Sequence, residues 1–169
     1  MTRGAPNGDM RIRPTEPADG ALLERLWQLY SHDMSEVRGT FPGTDGLYKR
    51  GRLESYLDEA AGDGYLVTYG GAPAGFAFVM HPEGPTRHMG DFFVVRAGRR
   101  RGVGQRVARY VVERYPGPWE IAFQGNNRGA PEFWRRVVTD LVGDAWLEEL
   151  RPVPGKPHIP PDHWLMFTT

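Results

Sequence analysis

The chain has 169 residues, a length that is typical of one domain. Of these residues 40% are hydrophobic and 25% are charged, which is typical of a globular protein. It contains no cysteine, which excludes a disulfide scaffold, a thiolate metal site and a cysteine nucleophile. Twenty-one basic and twenty-one acidic residues give a net charge of zero, which argues against a general nucleic-acid or membrane-surface binder.

The first part of the chain combines polar segments with two predicted helices. Residues 1–10 contain nothing to bury and are expected to be disordered, and they lack the apolar core of a signal peptide. Since no later apolar run approaches the roughly 20 residues of a membrane helix, we expect a cytoplasmic protein. A strand at 11–13 precedes a helix that opens at 16–19 and carries an apolar stripe. A polar segment, 31–36, a Gly/Pro-rich loop and a second helix over 52–61 are expected to follow.

The remaining elements predict a mixed sheet. The turn Gly70-Gly71 joins two β-rich runs and predicts a hairpin. A strand, a helix and a strand between 88 and 123 form one right-handed crossover, which makes these two strands parallel. From the hairpin onward, the predicted elements are strands 64–69, 73–81 and 88–95, helix 102–115, strand 119–123, helix 130–140, and strands 145–150 and 164–168. The order β-α-α-β-β-β-α-β-α-β-β predicts a single α/β domain over 11–169.

Positive charge is concentrated in one segment, Val94 to Arg114, which holds seven arginines and one glutamate. Its charge of +6 leaves −6 for the rest of the chain, because the total is zero. We therefore expect one polyanionic ligand at this segment and a neutral or cationic second substrate elsewhere.

The turn between strand 88–95 and the helix after it has the composition of a pyrophosphate site. Gly102 and Gly104 open the helix, where the first backbone N–H groups have no partner in the helix and the helix dipole favours an anion. The arginines at 99–101 would add charge-assisted bonds to phosphate oxygens. The turn is not a Walker loop, since it lacks Gly-Lys-Ser/Thr, and Val107 stands where a dinucleotide fingerprint needs its third glycine.

The pattern Arg99-x-x-Gly102-x-Gly104 resembles the acetyl-CoA-binding motif of the GNAT superfamily of N-acetyltransferases, Arg/Gln-x-x-Gly-x-Gly/Ala. Further on, Asn127, Ala130 and Phe133-Trp134 are similar to the family's Asn-x-x-Ala-x-x-Phe-Tyr. The resemblance implies a mainly antiparallel sheet flanked by helices, with a central parallel pair of strands that splay apart to admit acetyl-CoA. It also implies a set of cofactor-binding residues: the backbone of Phe93, Val94 and Val95 for the pantetheine arm, Arg99, Arg100, Arg101, Gly102, Val103 and Gly104 for the pyrophosphate, and Asn127 and Phe133 lining the cofactor.

The same resemblance places a catalytic carboxylate at Asp91, where many members of the family use an acid that often acts through water. An ordinary aspartate at a strand edge is the alternative. The family's general acid, a tyrosine that protonates the departing thiolate, falls at Trp134, and an indole delivers no proton at neutral pH. Either another group such as Tyr110 or Tyr115 takes this role, or water does, or the acetyl chemistry is absent.

The segment 30–36 is rich in titratable side chains, and in the family the loop after the first helix walls the acceptor site. Tyr30, Asp33 and Glu36 are therefore candidate substrate-binding residues. His32 is a candidate catalytic base, because imidazole titrates near neutral pH, and a capping role at a helix end is the alternative. The five histidines are too scattered for a metal site, so we expect no metal.

These features predict an acyltransferase that moves acetyl from acetyl-CoA to a small-molecule amine by direct attack in a ternary complex. Two other hypotheses stay open. One is a catalytically inactive acyl-CoA-binding module, which the missing tyrosine favours, and the other is a nucleic-acid binder, which the acidic remainder disfavours. We expect neither nucleic acid nor a membrane as partner, and the exposed sheet edge expected at the last strand is a candidate homodimer interface.

Overall fold

A computed structural model describes residues 9–58, 62–81 and 83–169, and in these ranges the chain forms seven strands and four α-helices. The strands are β1 (Met10–Pro14), β2 (Gly62–Tyr69), β3 (Ala72–Met80), β4 (Arg87–Val94), β5 (Pro118–Phe123), β6 (Trp146–Arg151) and β7 (Asp162–Thr168). The helices are α1 (Gly20–Arg38), α2 (Leu53–Tyr56), α3 (Val103–Val112) and α4 (Ala130–Val142). Apart from two short 3₁₀ turns before α1 and α3, this is the predicted element order.

The strands form one sheet in the order β1-β2-β3-β4-β5-β7-β6. Most neighbouring strands are antiparallel, whereas β4 and β5 are parallel, so the predicted fold class is confirmed. The β4–β5 pairing joins Arg87–Met89 to Trp119–Ile121, and beyond these residues the two strands splay apart. The opening between the second half of β4 and the end of β5 is called the gap below, and it positions the candidate site.

Helices cover the sheet on both faces and bury two apolar cores. On one face lie α3 and α4. The helix α3 packs there through an apolar side on which Val103, Val107 and Val111 recur at helical spacing and are buried. Arg106 and Arg109, on its other side, are exposed. On the other face lie α1 and α2, whose core comprises Leu23, Leu26, Trp27, Tyr30, Met34, Leu53, Tyr56, Leu66, Phe76, Phe78 and Phe93. Within the described ranges, no helix is long and apolar enough to cross a membrane.

Both helices of this second face differ from their predicted lengths. α1 continues through the polar segment 31–36, because Ser31 and Met34 are buried along it, and Gly39 ends it with a left-handed backbone (φ 62°). α2 ends at Tyr56, and Leu57 after it is 41% exposed, so a longer helix would gain little burial. The last residues of the predicted helix, 59–61, lie outside the described residues.

The two ends of the chain also differ from expectation. Residues 1–8, part of the segment predicted to be disordered, lie outside the described residues, and β1 already begins at Met10. The expected sheet edge at the last strand is wrong, since β7 lies between β5 and β6. β6 forms that edge, because the proline-rich loop after it returns the chain to pair with β5.

Candidate active site

The segment that follows β4 and includes the first two residues of α3, residues 96–104, is called the arginine turn. Two of its residues have left-handed backbone, Arg100 (φ 59°) and Gly102 (φ 72°). Gly102 stands immediately before α3, and a side chain built on it would meet nothing within 4 Å. The first N–H groups of α3 have no partner within the helix, and Arg100 and Arg101 are exposed beside them. The geometry is that of an anion site at a helix N-terminus.

Arg99 links the arginine turn to β4 and to α1. Its Nε donates to the backbone oxygen of Val94 over 2.9 Å, and its Nη2 pairs with the carboxylate of Asp33 on α1. Arg96 donates to the same carboxylate over 3.0 Å. Partial burial would raise the pKa of Asp33, but the hydrogen bonds and charges of Arg99 and Arg96 outweigh it and hold that pKa below its usual value. Asp33, a candidate for the acceptor site, therefore lies at the arginine turn.

The gap begins beside this turn. The N–H of Val95 donates to Ala74 on β3 over 2.9 Å, so in an antiparallel ladder the peptide groups of Val94 point the other way, towards the gap. Phe93 is buried against α1, with its ring centroid 5.9 Å from that of Tyr30. Of the three residues expected to bind a pantetheine arm through their backbone, Val94 directs its N–H to the gap, while its carbonyl accepts the hydrogen bond from Arg99.

Aromatic rings line the opposite face of β4. The ring of Phe133 lies 5.7 Å from Phe92 between centroids, and it packs so closely on α3 that a Cβ on Gly104 would lie 3.0 Å from it. Trp134 is 7% exposed and packs edge-on against Phe92. A side chain at Gly104 would therefore crowd Phe133, a constraint that the motif alone does not reveal.

The loop after β5 crosses from the gap to α1. The side-chain amide of Asn127 donates to the sulfur of Met34 over 3.8 Å, and that of Asn126 donates to the backbone oxygen of Val37 over 3.4 Å. Asn127 thus follows the end of β5 and contacts α1, whereas Phe133 packs on Phe92 of β4 and on the first turn of α3. Guanidinium groups, a free helix N-terminus and an open strand edge together fit a ligand with a pyrophosphate and a narrow amide-bearing arm.

A β-bulge in β4 determines where Asp91 points. Ala77 pairs with Phe92 and Val79 with Met89, so two residues of β4 lie opposite one of β3. The hydroxyl of Tyr56 accepts the N–H of Asp91 over 3.1 Å. A bulge of this kind re-aims a side chain next to a site, and here it turns Asp91 into the face covered by α1 and α2.

The carboxylate of Asp91 is 2% exposed and has four partners, which with it are called the Asp91 cluster. Its Oδ1 accepts from Tyr30 Oη over 2.5 Å and from Arg52 Nη2 over 3.1 Å, and its Oδ2 accepts from Tyr56 Oη over 2.7 Å. Arg38 Nη2 lies 3.8 Å from Oδ1. Burial, and next the negative charge of Asp91, raise the pKa of both Tyr30 and Tyr56, so both hydroxyls stay protonated donors.

Sequence reasoning found Asp91 and Tyr30 but missed the other three members of this cluster. Arg38 and Arg52 flank the Gly/Pro-rich loop, and Tyr56 lies on the predicted second helix, so the residues themselves were visible. Their convergence on Asp91 depends on how the loop folds back, which no local pattern records.

The structure does not bring His32 and Glu36 to Asp91. His32 lies about 200° around α1 from Tyr30, on the exposed face, where its Nδ1 is 3.5 Å from the hydroxyl of Tyr48. Glu36 is exposed one turn further along that helix. Tyr115, a candidate general acid, follows the far end of α3 from the arginine turn and donates to Asp63 over 2.5 Å. Neither His32 nor Tyr115 adjoins the gap.

Comparisons with known proteins identify the family to which the chain belongs. The model of the acetyltransferase (GNAT) family matches residues 23–138, more than half of the chain. No curated protein sequence matches the chain at a significant level.

Several solved structures share the fold. An acetyltransferase from Thermus thermophilus has 15% identity and a TM-score of 0.67, covering 95% of this chain and 97% of that one. The ribosomal-protein-S18-alanine N-acetyltransferase of Escherichia coli has 12% identity and a TM-score of 0.65, covering 95% of this chain and 94% of that one. A Bacillus subtilis acetyltransferase in complex with CoA has 13% identity and a TM-score of 0.62, covering 95% of this chain and 99% of that one. The chain therefore belongs to the acetyltransferase (GNAT) family, whose acetyl donor is acetyl-CoA.

Proposed function

We propose that this chain transfers the acetyl group of acetyl-CoA to the amine of a small molecule, by direct attack in a ternary complex, and that residues 11–169 act as one domain. The observation that carries the proposal is the arrangement at the end of β4. An open strand edge, a left-handed turn with exposed arginines and a helix N-terminus follow one another directly. Such an arrangement suits a long ligand with an anionic end.

The chain's own residues would hold the donor along this path. We assign the pyrophosphate to residues 99–104 and the amide-bearing arm to the backbone at 93–95, chiefly Val94. Asn127 and Phe133 would border the arm from the side of β5. Acetyl-CoA, when bound, supplies an acetyl thioester, and the protein's part is to fix its position and to exclude competing water.

Asp91 and Tyr30 are the residues that we assign to the acceptor side. An amine attacks only in its neutral form, so a proton must leave it. The carboxylate of Asp91 already accepts three hydrogen bonds, out of about four that its lone pairs allow. We infer that the amine gives its proton to the hydroxyl oxygen of Tyr30 while the hydroxyl's own proton passes to Oδ1 of Asp91, so that the proton ends on the carboxylate. His32 and Glu36 then have no direct part in the proton transfer.

A catalytically inactive acyl-CoA-binding module remains the second candidate, and Trp134 is the observation that favours it. Its indole is buried against Phe92 and offers no acidic proton where the family's tyrosine is expected. In an active enzyme, water reaching the gap would protonate the departing thiolate.

Two measurements separate these candidates: the affinity for CoA, by calorimetric titration, and the release of free thiol from acetyl-CoA with a panel of small amines. An enzyme gives both, whereas a binding module gives affinity without thiol release for any acceptor. Gly102→Val should raise the dissociation constant for CoA at least about tenfold, because a β-branched side chain disfavours the left-handed backbone that aims the turn.

The control is Gly46→Val, which places the same substitution at another positive-φ glycine (φ 78°) in the loop between α1 and α2. It should leave CoA binding unchanged. Equal CoA affinity in the two variants would contradict the assignment of the arginine turn, and undetectable CoA binding by the unmodified protein would contradict both candidates.

A further inference from the structure

We propose that the acceptor is a zwitterionic small molecule, an amine that also carries a carboxylate, and that Arg38 and Arg52 bind this carboxylate. The inference rests on the proposed function, because it assigns a substrate class to the same site. It starts from an excess of positive charge around Asp91.

Arg38 and Arg52 stand at the two ends of the loop that joins α1 to α2. Arg38 is the last residue of α1, Arg52 immediately precedes α2, and both guanidinium groups approach the same oxygen, Oδ1 of Asp91. In the described part of the chain, Asp91 is the one acidic partner of either arginine. Two cations thus share one anion, and the cluster carries an excess charge of +1.

One arginine would suffice to neutralise Asp91, and Arg52 is the closer of the two. Its Nη2 lies within hydrogen-bond distance of Oδ1 at 3.1 Å, whereas Nη2 of Arg38 lies at 3.8 Å and donates instead to the hydroxyl of Tyr30 over 3.1 Å. The charge of Arg38 is therefore the one that Asp91 leaves largely uncompensated. A second anion from outside would complete the cluster.

Exposure differs sharply within the cluster. The side chain of Asp91 is 2% exposed, whereas those of Arg38 and Arg52 are 38% and 57% exposed. Each guanidinium has five N–H donors, of which the contacts above use one or two. The buried carboxylate thus anchors two arginines whose remaining donors reach solvent, and a pair of such forks suits a carboxylate.

The position of the cluster suits an acceptor of small size. Asp91 precedes Val94 by three residues of β4, which corresponds to about 10 Å along a strand. The guanidinium of Arg38 lies over the ring of Tyr30, which itself packs on Phe93 beside Val94. A carboxylate held by Arg38 and an amine directed into the gap could therefore belong to one small molecule, such as an amino acid. A monoamine or polyamine would bring only positive charge towards the two arginines, so the excess charge selects against it.

The test compares acceptors that differ only in the carboxylate. Thiol release from acetyl-CoA is measured with common α-amino acids and with the α-amide of each. We expect kcat/KM to favour the acid over its amide by at least about tenfold. Arg38→Gln should reduce this ratio below about threefold, mainly through KM, because it removes the less compensated charge.

The control is Arg25→Gln, which removes another exposed arginine of α1 and should leave the ratio unchanged. A variant that merely folds less well lowers kcat/KM for the acid and for the amide by the same factor, so the ratio of the two stays unchanged. Thermal unfolding of each variant measures any loss of stability separately. Arg52→Gln should also reduce the ratio, with a larger loss of stability because Arg52 is hydrogen-bonded to Asp91.

A binding measurement covers the case in which turnover is absent. The N-acetylated amino acids and their amides are titrated into the protein with and without CoA, and the acids should bind at least about tenfold more tightly, less so in Arg38→Gln. Acids and amides that bind or react equally, or an equal loss for both in Arg38→Gln, would overturn the inference. A protein that binds the acids selectively but not CoA would instead refute the proposed function alone.

Discussion

The Tyr56 hydroxyl and Asp91 exchange two hydrogen bonds: the hydroxyl donates to Oδ2 over 2.7 Å and accepts from the N–H of Asp91 over 3.1 Å. The bulge in β4 turns that N–H away from the regular ladder, and the hydroxyl replaces its missing partner. Tyr56 is itself fixed by stacking on Phe78, with ring centroids 4.2 Å apart. One hydroxyl therefore satisfies the strand irregularity and orients the carboxylate.

Tyr56→Phe should destabilise the protein by about 1–3 kcal/mol, because it leaves a buried N–H and a buried carboxylate oxygen each without one partner. Denaturant unfolding measures the change. Tyr48→Phe is the control, since that hydroxyl makes an exposed contact with His32, and it should change stability by less than about 0.5 kcal/mol. Equal losses in the two variants would show that the double hydrogen bond contributes little.

Removing the carboxylate of Asp33 should strengthen CoA binding. Asp33 occupies donors of Arg99 and Arg96 that the arginine turn would otherwise present to a pyrophosphate. We expect Asp33→Asn to lower the dissociation constant for CoA about threefold to tenfold in low salt, with a smaller effect as salt screens these partly exposed charges. Titration calorimetry at two salt concentrations measures both.

The control for this substitution is Glu36→Gln, which removes a neighbouring exposed carboxylate of α1. It should change CoA affinity much less, because Glu36 lies on the outer face of the helix. Weaker CoA binding by Asp33→Asn would mean that Asp33 positions Arg99 for the ligand and does not compete with it.

Acid stability should depend on Glu148, which is hydrogen-bonded to Arg135 and His163 on the α4 side of the sheet. Its hydrogen bonds with Arg135 and then with His163 lower its pKa to about 2 from 4.5. Because the folded-state pKa is depressed, the stabilisation is present above about pH 4.5 and is lost as the pH falls towards 2.

Glu148→Gln should therefore be less stable than the unmodified protein at neutral pH, and the difference should shrink steadily below about pH 4.5. Denaturant unfolding across the acid range measures it. Glu132→Gln removes an exposed carboxylate from the first turn of α4 and should show a much smaller pH-dependent difference. A difference for Glu148→Gln that stays constant down to pH 2 would contradict the assignment.

The sequence was sufficient where local pattern decides the structure. Alternating and helical periodicities predicted every strand and helix in order, and the crossover rule predicted the parallel pair β4–β5. It was insufficient at α1, whose polar segment 31–36 suggested a loop. Burial of Met34 and Ser31 kept the helix intact, which is a tertiary effect that overrides local composition.

The Asp91 cluster lay beyond sequence reasoning for a related reason. Tyr30, Arg52 and Tyr56 contact Asp91 from 61, 39 and 35 residues away in the chain. A motif with fixed spacing cannot report such contacts. The arginine turn is contiguous, so its expected position was read directly from the chain, whereas the pairing of Asp33 with Arg99 again spans 66 residues and was not foreseen.

Trp134 is the residue that favours the second candidate function, and its role can be tested by removing the indole. Trp134→Phe leaves an aromatic ring against Phe92 but removes volume from a site that is 7% exposed, so we expect a loss of stability of about 1–3 kcal/mol. Trp146→Phe is the control, because this tryptophan is less buried and lies on the edge strand β6, and it should reduce the free energy of unfolding by a smaller amount.

The effect on turnover follows from the acidity of the side chain. An indole gives up no proton near neutral pH, so Trp134→Phe should leave kcat for thiol release within about threefold of the unmodified protein. A much larger fall in kcat would show that the indole orients the substrates. Trp134→Tyr adds a phenol at the same place, and an increase of kcat beyond about tenfold would show that thiolate protonation limits the natural chain.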